Sequence, residues 1–201
     1  IKYTVILTIT AMVIAIVLGI ITAVARGSKF KVIRTIAACY VELFRNTPLL
    51  IQLWMVYFGL GEIGIHISAL TGGLATLAIN TGAYTAEIIR AGFDSIDKEI
   101  KEAAIALGLT PFLIFKTIVL PLGLRAVMPA LCNMSIQCLL ASALLSILGI
   151  NELTNQAIRI ASKTFRSFES FAVIGVLYIF LTFLITSFFN LLSKRAKGSL
   201  H

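Results

Sequence analysis

Residues 4–25 read TVILTITAMVIAIVLGIITAVA, a run of 22 without a charged side chain, and it stops at Arg26-Gly27-Ser28-Lys29. A helix needs ~20 apolar residues to cross the hydrocarbon of a bilayer, so this run can span one. It is too long for the apolar part of a cleavable leader, and the basic residues behind it mark a retained helix. Outward from it the pattern recurs at 35–60, 70–89, 126–150 and 170–193. The second of these regions is interrupted by Glu42, Arg45, Asn46 and Pro48, and the third is clean until Glu87. The expectation is an all-α integral membrane protein, one domain over residues 1–201 with five transmembrane helices. Composition agrees, with 59% hydrophobic and 13% charged residues and a mean hydropathy of +0.99, where soluble domains carry ~25% charged residues. Opening at Ile1 without Met, the chain reads as lacking its native start, and His201 after Gly198-Ser199-Leu200 reads as a cloning remnant.

The net charge of +8 suggests nucleic acid until the positions are read. With the N-terminus outside, Arg26, Lys29, Lys31, Arg34 and Arg45 fall inside. So do Arg90, Lys98, Lys101, Lys116 and Arg125 of the long loop, and Lys194, Arg195 and Lys197 of the tail. Only Lys2, Arg159, Lys163 and Arg166 of the 17 lysines and arginines fall outside. This is the positive-inside rule, and it puts the C-terminus in the cytoplasm. The basic residues hold topology and meet lipid headgroups, which leaves no charge to assign to nucleic acid. Cys39, Cys132 and Cys138 all sit in apolar stretches without metal-ligand spacing and read as small packing residues.

Two segments break the span-and-turn pattern, 94–121 and the outer segment 151–169. The first contains SIDKEIKEAAIALGLTPFLIFKTIVLP at 95–121. Ile96, Ile100, Ala103, Ala104 and Leu107 share one helical face, and Asp97, Lys98, Lys101 and Glu102 populate the other. Gly108 supplies a stop, because glycine accepts the left-handed conformation at a helix end. Thr110-Pro111 is an N-cap followed by proline at the first helical position, which restarts a helix that Pro121 ends or kinks. The small residues Ala103, Ala104 and Gly108 let another surface approach.

Glu102-Ala103-Ala104, three residues, Gly108, nine residues, Ile118, one residue and Leu120-Pro121 resembles the EAA motif of bacterial ABC-importer permeases. Residues 42–53, ELFRNTPLLIQL, are similar to the E-x-F-R-G-T-P-L-L-x-Q segment of the permeases for polar amino acids. Residues 82–92 and 148–154 resemble further segments of that family. The resemblance implies a type I importer permease in the bacterial inner membrane, non-catalytic itself, forming half of a translocation path. It implies as partners a cytoplasmic ATPase dimer that binds ATP and Mg, a second permease copy or paralogue, and an extracytoplasmic solute-binding protein. Lys101, Glu102, Ala103, Ala104, Leu107 and Gly108 would then form the helix that couples to the ATPase. No cofactor is expected in this chain, which has no Walker-type phosphate loop.

Polar groups inside spans face a cavity or a partner, because lipid does not satisfy them. The candidates for a substrate path are Thr47, Gln52, Asn80, Glu87, Asn133, Gln137 and Ser142, with Ser135 beside them. Thr47, Ser135 and Ser142 can equally bond their own helix. Asn133 and Gln137, one turn apart, share a face and meet either substrate or a neighbouring helix. Glu87 stands three residues before Arg90 and reads as half of an ion pair. Pro48 should break the second region and create a hinge or gate. Related permeases often carry Lys-Asp-Thr-Ser where this chain has Leu140-Ala141-Ser142-Ala143, so the acid a cationic amino acid would want is missing. The outer segment, with Glu152, Arg159, Lys163, Arg166 and Glu169, has two readings that are compatible, a surface helix that caps the outer mouth and a docking site for an external binding protein. The alternative reading is an ATP-independent secondary transporter or channel. It expects buried ionisable pairs within the spans, and Glu42, Arg45 and Glu87 near span ends are the only candidates.

Overall fold

A computed structural model describes the backbone of residues 1–198 and the side chains through Ser193. His201 lies outside the described residues. Nine helices are formed among them. They are α1 (Lys2–Arg26), α2 (Lys31–Arg45), α3 (Leu49–Glu62), α4 (Ala69–Asp94), α5 (Lys98–Ala106), α6 (111–126), α7 (Met128–Leu148), α8 (Leu153–Thr164) and α9 (Ser167–Gly198). No strand occurs among the described residues.

Three helices, α1, α7 and residues Ser167–Ser193 of α9, are long and apolar enough to cross a membrane. Helix α4 is as long, but it carries Thr76, Asn80, Thr81 and Thr85, all buried. Its position explains that composition. Helices α1, α2, α3, α6 and α7 all pack on α4, so little of it faces outward and its side chains need not be apolar. Ala11, Ala15 and Gly19, spaced by four, bring α1 close against it. A Cβ on Gly19 would stand 2.8 Å from Thr85 Cγ2. Small residues at this spacing let helix backbones approach, which is how packing holds helices together in lipid.

The second apolar region is divided. Helix α2 ends at Arg45 and α3 begins after Pro48. Proline offers no N–H to continue a helix and disfavours the helical conformation in the residue before it. Helix α6 copes differently with Pro121. Its turn at Phe115–Val119 widens to a π-helix, after which the helix resumes. A π turn is a common way to absorb an interrupted hydrogen-bond ladder.

Leu7, Ala11, Leu53, Leu77, Cys138, Leu145 and Ile150 form the main core, where α1, α3, α4 and α7 meet. Helix α9 packs on α7 and α8 through Leu139, Leu153 and Leu181. Most of α9 is otherwise uncovered, with Val176, Ile179 and Phe183 each at least 65% exposed. That is the surface of a helix whose solvent is lipid or another membrane helix.

Candidate functional site

At one end of the bundle α4, α5 and α6 form an elbow. Gly92 of α4 and Gly123 of α6 touch at its root, where a Cβ on Gly92 would lie 2.6 Å from the Gly123 carbonyl oxygen. Lys101 Nζ donates to the Phe93 carbonyl at 3.1 Å and ties α5 to the end of α4. Ile96 and Ala104 are buried against this root. Helix α5 then stops as its glycine requires. The Leu109 amide donates to the Ala104 carbonyl at 3.2 Å, the Gly108 amide donates to the Ile105 carbonyl at 2.9 Å, and Gly108 takes φ +76°. This is a Schellman turn, whose left-handed position favours glycine. The Leu113 amide donates to Thr110 Oγ1 at 3.4 Å, capping α6 ahead of Pro111.

The apolar face read from periodicity is split. Ile96 and Ala104 pack inward, whereas Leu107 is 80% exposed and Ile100, Ile105 and Phe112 stand open with it. Ile100, Ala103 and Leu107 share the expected face yet stand open, so the bundle covers only Ile96 and Ala104 of it. Glu102, Ala103 and Gly108 are exposed on the same tip. An apolar cluster interrupted by small residues and presented beyond the bundle suits a groove in another protein.

Thr47, Gln52 and Asn80 come together at the break before α3. Gln52 Nε2 donates to the Phe44 carbonyl (2.9 Å), the Thr47 carbonyl (3.0 Å) and Thr47 Oγ1 (2.6 Å). Asn80 Nδ2 donates to the Phe44 carbonyl at 2.9 Å and to Gln52 Oε1 at 3.1 Å. Both amides are buried. They satisfy carbonyls that Pro48 leaves without helical donors, as interrupted membrane helices require. Thr47 Oγ1 also donates to the Leu43 carbonyl.

Glu87 of α4 meets three arginines. Arg26 of α1 pairs with it directly, Arg45 of α2 lies 3.8 Å away and Arg90 of its own helix 4.0 Å away. Sequence reading offered Arg90 alone, because the chain places Arg26 and Arg45 far from Glu87. Arg45 also lies over the Tyr84 ring at 5.5 Å, and Tyr84 donates to the Arg45 carbonyl at 3.0 Å. The node joins α1, α2 and α4.

Asn133 and Gln137 occupy another kind of place. With Pro129 and Leu140 they form the exposed face of α7, and neither hydrogen bonds to another described residue. Asn133 also lines a shallow cleft of about 200 Å³ with Met128, Cys132, Phe189 and Asn190. Ser135 and Ser142 turn the other way, are buried, and donate to the Leu131 and Leu139 carbonyls at 2.8 and 2.7 Å.

Residues 15–198 match the family described as the inner membrane component of binding-protein-dependent transport systems. The chain belongs to that family. The putative glutamine transport system permease protein GlnP of Rickettsia felis is 34% identical over 195 residues, 96% of this chain and 88% of the relative. The arginine transport system permease protein ArtQ of Bacillus subtilis is 32% identical over 192 residues, 95% of this chain and 88% of the relative. A solved amino acid ABC transporter, crystallised with histidines, has a chain 38% identical that superposes with a TM-score of 0.89, over 97% of this chain and 91% of that one. The methionine transporter MetNI in an inward-facing form shares the fold, with a TM-score of 0.76 at 23% identity, over 96% of this chain and 90% of that one. This chain is therefore a permease component of an ABC importer.

At the end of the permease bundle opposite the elbow, the structure corrects the reading of Glu152 as part of a mixed polar surface. Glu152 is fully buried and caps α8. Its carboxyl accepts from the Asn155 amide (2.6 Å), the Thr154 amide (2.8 Å) and the Tyr178 hydroxyl of α9 (3.0 Å). Burial pushes the carboxyl above the usual carboxylate range, and these hydrogen bonds pull against that shift. The Leu153 amide donates to Thr4 Oγ1 of α1 at 3.0 Å, so α8 is fastened to both α1 and α9. The usable signal in the sequence was an acid directly before an amphipathic helix, an N-cap pattern; its tyrosine partner 26 residues on carried none.

Proposed function

We propose that this permease imports a polar, uncharged amino acid, as half of a paired membrane domain driven by an ATPase that binds ATP and Mg on a partner chain. The observation that carries the reading is the elbow. Its root is fixed by Gly92 against Gly123, while Glu102, Ala103, Leu107 and Gly108 at its tip are bare. In this reading the ATPase grips the tip, Lys101 passes the displacement to α4, and the spans swing the path from outward to inward access. Five crossings are formed by α1, the α2–α3 pair, α4, α7 and α9, with the N-terminus outside and the C-terminus in the cytoplasm. The charge distribution supports that orientation.

Asn133 and Gln137 are the path residues we favour, because two unpaired amides on an exposed membrane-helix face require a polar counterpart. Thr47, Gln52, Asn80 and Ser142 stand behind the path and hold its backbone, and Glu87 holds three helices at its inner end. Leu140 is exposed beside Gln137, so the stretch where related permeases carry an acid presents none. That supports an uncharged substrate over a cationic one. The relatives named for glutamine and for arginine mark the two alternatives.

The experiment is uptake into proteoliposomes containing the permease, its ATPase and its binding protein, across a panel of amino acids. ATP-dependent uptake of an uncharged polar amino acid, reduced at least tenfold by Asn133→Leu with Gln137→Leu, is the expected result. Uptake without ATP, or preference for arginine and lysine, contradicts the reading.

A further inference from the structure

Helix α1 turns one apolar stripe away from the protein. Ile6, Val13, Val17, Ile21 and Val24 recur along it at helical spacing and are 45–60% exposed. The uncharged run ends at Arg26, which places that residue at the edge of the hydrocarbon, where headgroups begin. At this level a cleft of about 290 Å³ opens between α1, α4 and α6. Val24 belongs both to the stripe and to the cleft lining, so the cleft is continuous with the outward apolar surface. Phe93 of α4 and Phe115 of α6, edge to face at 5.5 Å, line it with Val119. Its charged lining is Arg26, Arg90 and Asp94.

The two signs are kept apart. Arg26 and Arg90 gather with Arg45 on Glu87, and Glu42 stands near enough to attract Arg26. Two carboxylates against three guanidinium groups leave one positive charge and many N–H donors without an acceptor. Asp94 lies one turn beyond Arg90 on α4, about 6 Å along the helix axis. It is exposed, and its carboxylate makes no ion pair or hydrogen bond among the described residues. Arg90 reaches Glu87 instead.

We infer that this cleft binds the headgroup of a phospholipid that joins a phosphate to a primary ammonium, the phosphatidylethanolamine class. Guanidinium groups are the usual partners of phosphate oxygens. The unpaired Asp94 then accepts from the ammonium, which a two-carbon linker holds within reach of the phosphate. The acyl chains continue along Val24 and Ile21. An anionic headgroup fits less well, because Asp94 cancels the single surplus positive charge. A choline headgroup has no N–H to donate to the carboxylate. A soluble ligand would leave the apolar side of the cleft in contact with water. The lipid also stands against the root of the elbow, since the Phe93 carbonyl is the one that Lys101 holds.

The test is native mass spectrometry of the permease purified with its ATPase. It is titrated with phosphatidylethanolamine, phosphatidylcholine and phosphatidylglycerol of matched acyl chains. The native complex should hold phosphatidylethanolamine about fivefold more tightly than the other two, the worth of one ionic contact near a surface. Asp94→Asn should abolish that preference and leave phosphatidylcholine unchanged. Arg90→Gln should weaken all three lipids. Val119→Trp, which fills the cleft, should remove one bound lipid per permease. The unfolding midpoint reports that each variant has folded. Asp94→Asn alters an exposed, unpaired side chain and carries the test if Val119→Trp does not fold. Equal retention of the three lipids, or an Asp94→Asn complex that keeps the native preference, overturns the inference. Tighter binding of phosphatidylglycerol, or displacement of the lipid by low-millimolar inorganic phosphate, makes the cleft a plain anion site and overturns it as well.

Discussion

The two ends of this permease solve the same problem in opposite ways. Each must turn the chain between helices and satisfy the backbone groups exposed by the turn. At the end opposite the elbow, Glu152, Thr4 and Tyr178 satisfy the start of α8 from inside the chain, while Phe165 and Phe168 beyond its last turn stand open at 92% and 84%. At the elbow the backbone is satisfied by the glycine turn, but the side chains are not. Leu107, Ile105 and Phe112 remain open at 80%, 63% and 72% exposure. The start of α8 is thus finished by its own chain, whereas the elbow has a rigid root and a bare apolar tip, which is what the proposed coupling to a partner protein would use.

The comparison breaks most readily at the root. Gly92→Leu should cost about 3 kcal/mol or prevent folding, since overpacking at a backbone contact has nowhere to relax. Thermal unfolding in detergent measures it, with Gly175→Leu, where a Cβ meets nothing within 4 Å, as the silent control. At the end opposite the elbow Glu152→Ala leaves two amides without their acceptor and the half-buried Tyr178 hydroxyl with Thr154 Oγ1 alone, and a loss of about 2 kcal/mol is expected. Faster amide hydrogen exchange confined to the start of α8 would sharpen the claim that this start is finished by its own chain; unchanged exchange would break it. Gln52→Ala should cost about 1 kcal/mol, because Asn80 still serves the Phe44 carbonyl while the Thr47 carbonyl loses its donor. At the tip, Leu107→Ala should change stability by less than about 0.5 kcal/mol. A large drop in the unfolding midpoint there would mean that the tip, like the start of α8, is held by its own chain.

Much of this was legible in the sequence, for reasons that particular residues show. The apolar runs at α1, α7 and α9 are long and face outward, so hydropathy finds them. The Gly108 stop and the Thr110-Pro111 restart depend on neighbours in sequence and were read in place. Pro48 announced its break, but not that Gln52 and Asn80 would close it, because Asn80 comes from another helix. Glu87 was paired with Arg90 because only local spacing is visible; Arg26 and Arg45 reach it through folding. The Glu152 cap was hidden by its neighbours, since a carboxylate among Arg159, Lys163 and Glu169 looks like surface until Tyr178 and Thr4 are placed around it. Asn133 and Gln137 were seen to share a face, but only packing shows that the face is the uncovered one.

If the elbow's tip is the drive point of transport, damage to it must uncouple the permease from its ATPase without unfolding it. Leu107→Asp and Gly108→Val are introduced separately, and each purified complex is assayed for retained ATPase and for ATP-driven uptake in proteoliposomes. Each variant permease should unfold within a few degrees of the native midpoint, retain its ATPase at least tenfold less, and lose uptake. Full ATPase retention with native uptake in both variants would contradict the tip's role as drive point.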